Sequence, residues 1–124
     1  MLIDKAKEAL QYSYSPYSNF KVGAALLTKS NKIYTGCNIE NGAYSPSCCA
    51  ERTAFVKAIS EGEKEFVAIA VVNDKGTICY PCGVCRQFMS EFCDDAFEIY
   101  LEDNDKIKKF TLNELLPYSF ELEK

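Results

Sequence analysis

Two short segments of this chain gather side chains able to hold a metal: Cys49-Ala50-Glu51 and Pro81-Cys82-Gly83-Val84-Cys85. Cys82 and Cys85 are three apart, so on the first turn of a helix their thiols share one face. A third thiolate from Cys49 gives three protein ligands and leaves one tetrahedral position open. Three ligands plus water is the pattern of a catalytic zinc site. Both segments are expected to open helices, whose N-termini favour thiolates. Glu51, two residues past Cys49, is expected beside the metal and not on it.

Other readings of the cysteines compete. There are seven: Cys37, Cys48, Cys49, Cys79, Cys82, Cys85 and Cys93. An odd number with no export signal argues against a disulfide scaffold. A closed structural zinc on Cys48, Cys49, Cys82 and Cys85 would need two neighbours on one helix, about 100° apart, to reach one ion. A redox C-x-x-C of thioredoxin type would leave Cys49 and Glu51 without a role. Cys37, Cys79 and Cys93 read as small buried hydrophobes.

Zinc with three thiolates carries one net negative charge before water binds. The only arginines, Arg52 and Arg86, each stand beside a ligand segment. Both are candidates to hydrogen-bond the sulfurs and restore the metal's acidity, with Arg86 equally readable as a surface residue. The rest of the composition narrows the class. The formal net charge is −4 and the lysines are scattered, so no basic face for nucleic acid is expected. No signal peptide or membrane-length apolar run is visible, and a cytoplasmic protein is expected.

These side chains need a frame, and 124 residues allow one domain, 1–124, with one core. Leu2 to about Tyr12 has a helical apolar period. Ser13 to Phe20 is turn-rich around Pro16. Lys21–Thr28 reads as a buried strand, and Lys32–Gly36 completes a hairpin. Asn38–Ser47 is a loop. Cys49–Ser60 reads as a helix ending at Gly62. Phe66–Val72 is a buried strand, and a helix follows Pro81. Phe97–Leu101 and Lys106–Phe110 are strands. Thr111 to Glu114 is a capping-box pattern opening a short last helix. The order α-β-β-α-β-α-β-β-α predicts an α/β fold in which helices sandwich a mixed sheet.

The pairing of C-A-E with P-C-x-x-C also matches the signature of zinc nucleobase deaminases, with Cys49 where other branches place histidine. This chain has no histidine, so a three-cysteine site is the version available to it. Tyr14 to Leu27, Gly36 to Asn41, Cys49 to Ala54, Pro81 to Gln87 and Glu114 to Phe120 resemble motifs of the small homotetrameric cytidine deaminases. They follow the family's order and span nearly the whole chain.

The resemblance implies a three-layer α-β-α sandwich with a mixed five-stranded sheet and one Zn²⁺ per subunit. It implies hydrolysis of the amino group of cytidine and 2′-deoxycytidine, with Glu51 shuttling protons. It implies that Asn38 and Glu40 grip the ribose. These two lie two apart and face the same way in an extended segment. A carboxylate there suits a free 3′-hydroxyl and repels a phosphodiester, which favours nucleosides over nucleic acid. Phe20 is a candidate to stack on the pyrimidine, and Ala50 joins the substrate-binding set. Tyr44 and Phe120 look like positions that neighbouring subunits contribute, and Arg52 looks like the arginine that supports the sulfurs. Cys48 before Cys49, and Tyr80 where the family usually has a small residue, depart from the pattern. A blasticidin-type deaminase shares the zinc motifs and is the nearest alternative.

Overall fold

Successive residues of a strand point to opposite faces, and this divides the molecule into layers. In β1 (Val22–Thr28), Ala24 and Leu26 join one core while Ala25 joins another. In β3 (Phe66–Asn73), Ile69 and Val71 face the first core, Ala70 and Val72 the second. The computed structural model describes every residue from Met1 to Lys124. The remaining elements are α1 (Leu2–Ala9), continued by a 3-10 turn (Leu10–Tyr12), β2 (Ile33–Cys37), α2 (Ala50–Ser60), α3 (Gly83–Phe92), β4 (Glu98–Asp103), β5 (Lys106–Thr111) and α4 (Leu112–Leu115).

Helix α1 covers the smaller core with Ile3 and Ala6. On the other face, α2 contributes Phe55, α3 Met89 and α4 Leu112 to the larger core. The result is an α-β-α sandwich, as the chain order predicts. The sheet is mixed and five-stranded, in the order β2-β1-β3-β4-β5. Only β3 and β4 pair in parallel, and α3 forms their crossover. The capping box is present: Glu114 N–H donates to Thr111 Oγ1, and Thr111 N–H to Glu114 Oε1. No helix is long and apolar enough to cross a membrane.

Sheet direction places the site. Strands β2 and β3 flank β1, and both run antiparallel to it. They therefore run the same way, and their carboxyl ends reach the same edge of the sheet. The chain leaving β2 enters α2, and the chain leaving β3 enters α3, so both helix N-termini meet at that edge. Gly36 on β2 permits close packing: a Cβ there would lie 2.5 Å from Ala50 O and 2.6 Å from Ala54 N.

The element edges differ in one way that matters. Cys49 and Cys82 stand just outside their helices as N-caps, with extended backbones at ψ 155° and 165°. Only Cys85 lies within a helix. Cys48, expected as a helical neighbour of Cys49, instead bridges to Ile39 in an extended segment. Side chains alternate there, which points Cys48 away from Cys49; its sulfur accepts from Thr53 Oγ1 at 3.4 Å.

Candidate active site and metal centre

The sulfurs of Cys49, Cys82 and Cys85 all lie within 4.8 Å of one another. Cys49 Sγ is 3.7 Å from Cys82 Sγ, which is 3.4 Å from Cys85 Sγ. Tetrahedral zinc with sulfur bonds of about 2.3 Å sets its thiolates about 3.8 Å apart, so the spacing suits that ion. The group has no fourth protein ligand, and neither Cys48 nor Glu51 belongs to it. The donors are three soft sulfurs at two helix starts, a set that selects zinc over hard cations.

Hydrogen bonding favours thiolate at Cys49. Hydrogen bonding with Cys85, then with Arg52 and Cys82, outweighs burial and lowers its pKa to about 5. Cys85 is raised, chiefly because it donates to Cys49 in that pair, and then by burial. Arg52 Nη2 lies 3.6 Å from Cys49 Sγ and 3.4 Å from Ser47 O. That thiolate contact holds the guanidinium protonated. Arg52 Nε is buried without a hydrogen-bond partner. Arg86 does not share this role. Its Nε donates to Pro81 O at 2.7 Å and its Nη1 to Leu115 O at 2.8 Å. It braces the cysteine turn against α4 rather than touching sulfur, because following Cys85 on the helix turns it about 100° away.

Glu51 is 5% exposed, unusual for a glutamate in the first turn of a helix. Burial pushes its carboxyl up to about 7, and the Cys49 charge adds to the effect. It lines a cavity of about 150 Å³ with Val22, Asn38, Cys49, Ala50, Cys79, Tyr80 and Cys82. Asn38 and Cys49 also border a wider cleft of about 540 Å³, whose walls include Glu40, Tyr44 and Arg52. Small-molecule sites usually occupy about 300–1,000 Å³. The narrow cavity is smaller than that range, and the cleft lies within it.

Asn38 and Glu40 are held by the turn before β1. Asn38 Oδ1 accepts from Val22 N–H at 2.9 Å and from the Ser13 hydroxyl, and its Nδ2 donates to Phe20 O at 2.8 Å. One amide hydrogen remains for a ligand. Glu40 accepts from Tyr17 and Ser18 N–H at 2.9 and 3.1 Å and from the Ser18 hydroxyl. The Ser18 hydroxyl, with these backbone donors, holds the carboxyl below its usual range.

The aromatic candidates are dispersed. Phe20 packs half-buried against the larger core and borders neither space. Tyr44 stands at the cleft's outer wall, 75% exposed, with its ring edge-on to Tyr17. Phe120 lies away from both spaces, 69% exposed, and its carbonyl accepts from Gln87 Nε2.

Sequence reasoning missed three parts of this region. Cys79 is partly buried like a core thiol but also borders the Glu51 cavity. Ser13 and Ser18 hold the two polar residues of the cleft. Leu115 O anchors Arg86. For the two serines, the turn-rich composition of Ser13 to Phe20 indicated a turn without a partner.

A buried carboxyl beside an open three-sulfur centre suits zinc-dependent hydrolytic chemistry. The chain belongs to the family described as the cytidine and deoxycytidylate deaminase zinc-binding region, whose model matches residues 1–101. It is 50% identical to a cytidine deaminase of Sporosarcina psychrophila, over 98% of this chain and 90% of that protein. A blasticidin-S deaminase of Bacillus cereus is 32% identical, over 96% and 89% of the two chains. The crystal structure of a cytidine deaminase from Burkholderia pseudomallei superposes with a TM-score of 0.91 at 44% identity, covering 96% of each chain.

Proposed function

We propose that the chain, acting as one catalytic domain, converts free cytidine and 2′-deoxycytidine to uridine and 2′-deoxyuridine with release of ammonia. The observation that carries this is Glu51, buried in the same narrow cavity as Cys49 and Cys82. Cys49, Cys82 and Cys85 would hold zinc, which would supply Lewis-acid activation of water. Glu51 takes the first proton from the attacking water and delivers it to N3 of the pyrimidine, while a C–O bond forms at C4. The same carboxyl then moves the proton of the new hydroxyl to N4. The C4–N4 bond breaks, ammonia leaves, and N3 keeps its proton. A carboxyl pushed up to about 7 is suited to taking and giving protons at neutral pH.

The ring's C4 edge enters the narrow cavity, over Ala50, and the sugar lies in the cleft. There the spare amide hydrogen of Asn38 and the ionised Glu40 meet the ribose hydroxyls. A negative Glu40 disfavours a phosphodiester, which supports nucleosides as substrates and not nucleic acid. Phe20, offered as a ring to stack on the pyrimidine, instead supports the site through its carbonyl, which accepts from Asn38 Nδ2. The exposure of Tyr44 and Phe120 supports a homotetramer in which each site borrows aromatic rings from neighbouring chains. Such an enzyme serves pyrimidine salvage in the cytoplasm.

The test follows the ultraviolet absorbance of cytidine, 2′-deoxycytidine and blasticidin S with the zinc-loaded protein. Loss of cytidine absorbance with ammonia release is expected. Blasticidin turnover without cytidine turnover, or no turnover by protein that carries zinc, would overturn the reading.

A further inference from the structure

Three residues border the Glu51 cavity without a part in the reaction as described: Val22, Cys79 and Tyr80. Val22 is buried in the larger core, and Cys79 is partly buried against it. Tyr80 differs from both. It is 48% exposed, so it stands at the rim where the cavity meets solvent. It is also fixed there. Its ring meets Phe110 of β5 edge to face, with centroids 5.7 Å apart and planes at 67°. Buried Pro81 follows it, and Pro81 O accepts from Arg86 Nε, so the backbone beside Tyr80 is tied as well.

The chemistry says which part of a substrate meets this rim. C4 must reach Glu51 and the cysteine group, and N4 is bonded to C4. The amino group therefore lies inside the narrow cavity, and the sugar extends past Asn38 into the cleft. Any substituent on N4 needs room that the 150 Å³ cavity gives only if its rim yields. A ring locked on Phe110 does not yield easily.

We propose that Tyr80 is a specificity-determining residue that restricts the leaving group to unsubstituted ammonia and excludes N4-alkylated cytidines. The inference rests on the deaminase reading of the site. For N4-methylcytidine the bond broken is the same C4–N4 bond, with methylamine leaving in place of ammonia and water supplying the same oxygen and protons.

The experiment compares kcat/KM for cytidine and N4-methylcytidine in the zinc-loaded parent, Tyr80→Ser, Tyr80→Phe and Phe110→Leu. The parent is expected to favour cytidine by about a hundredfold, within the range of about 10–200-fold that one extra methylene is worth in a fitted pocket. Tyr80→Ser should narrow that ratio at least about tenfold, Tyr80→Phe should keep it, and Phe110→Leu should fall between. Similar efficiency on both substrates in the parent overturns the inference without any variant. A Tyr80→Ser ratio within about twofold of the parent's, with cytidine turnover retained, overturns it too. A zinc-loaded parent inactive on cytidine overturns the deaminase reading itself, an outcome distinct from the other two.

Discussion

The floor of the site and its rim are built differently. The floor is Cys49, Cys82, Cys85 and Glu51, brought together by two helix starts at one sheet edge. Glu51 and Cys85 are buried, and one chain supplies every group. The rim includes Asn38 and Glu40, held by hydrogen bonds to the turn before β1, and Tyr44, edge-on to Tyr17 of that turn, with Phe120 far off and exposed. Bond-making chemistry needs fixed distances, so it sits where packing on both sides determines geometry. Recognition tolerates looser parts, and here it leaves the Tyr44 and Phe120 rings exposed.

Removing the metal should break the floor most completely. A chelator is expected to abolish cytidine turnover, and added Zn²⁺ to restore it, with metal content near one ion per chain. Cys85→Ser should leave no recoverable activity, since it removes a buried ligand. Turnover that persists in demonstrably zinc-free protein would separate the chemistry from the cysteine group.

Glu51→Gln sharpens the same side of the comparison. General acid–base catalysis contributes about 10²–10⁴-fold, so kcat should fall by at least that much. Zinc content should be unchanged, because Glu51 lies outside the ligand group. A variant that loses zinc along with activity would make Glu51 a structural support and not a proton carrier.

Arg52→Ala should cost less. Groups that hydrogen-bond metal ligands are worth about 10–100-fold in affinity or activity. Arg52 touches Cys49 Sγ, whereas Arg86 touches only backbone oxygens. Arg52→Ala is therefore expected to raise the zinc dissociation constant, and Arg86→Ala to lower thermal stability with little change in zinc affinity. Competition with a chromogenic chelator measures the first, and thermal unfolding of the zinc-loaded proteins the second. Equal effects on zinc affinity would mean that both arginines act on the sulfurs.

The floor was the more legible region in the sequence. Cys49, Cys82 and Cys85 are identifiable because metal chemistry restricts both residue type and spacing, and Glu51 because its place in C-A-E resembles the deaminase motif. The layering was legible as well, since β1 and β3 are long apolar runs. What the sequence hid were pairings between distant segments. Ser18 holds Glu40 across 22 residues, and Arg86 reaches Leu115 across 29. No local period records such contacts. Cys48 shows a subtler gap: it does stand outside the metal group, but through extended alternation and not through the helical angle that the sequence suggested. Cys79 looked like core because a half-buried thiol beside a cavity and one inside a core have the same local sequence.

The smallest expected effect tests whether the rim is completed by a second chain. Phe120→Ala should lower kcat/KM for cytidine by about tenfold, the equivalent of about 1.4 kcal/mol. The fold of the single chain should hardly be affected, because Phe120 is 69% exposed there. The loss alone does not say whose site the ring serves. Mixing Phe120→Ala with Glu51→Gln does. If Phe120 serves a neighbour, some hybrid sites combine Glu51 from one chain with Phe120 from the other, and activity after co-refolding should exceed the sum of the separate variants. If Phe120 serves its own chain, no hybrid site contains both groups and activity should equal that sum. The same mixture made from Arg52→Ala and Glu51→Gln should show no gain, because those side chains belong to the floor of a single chain.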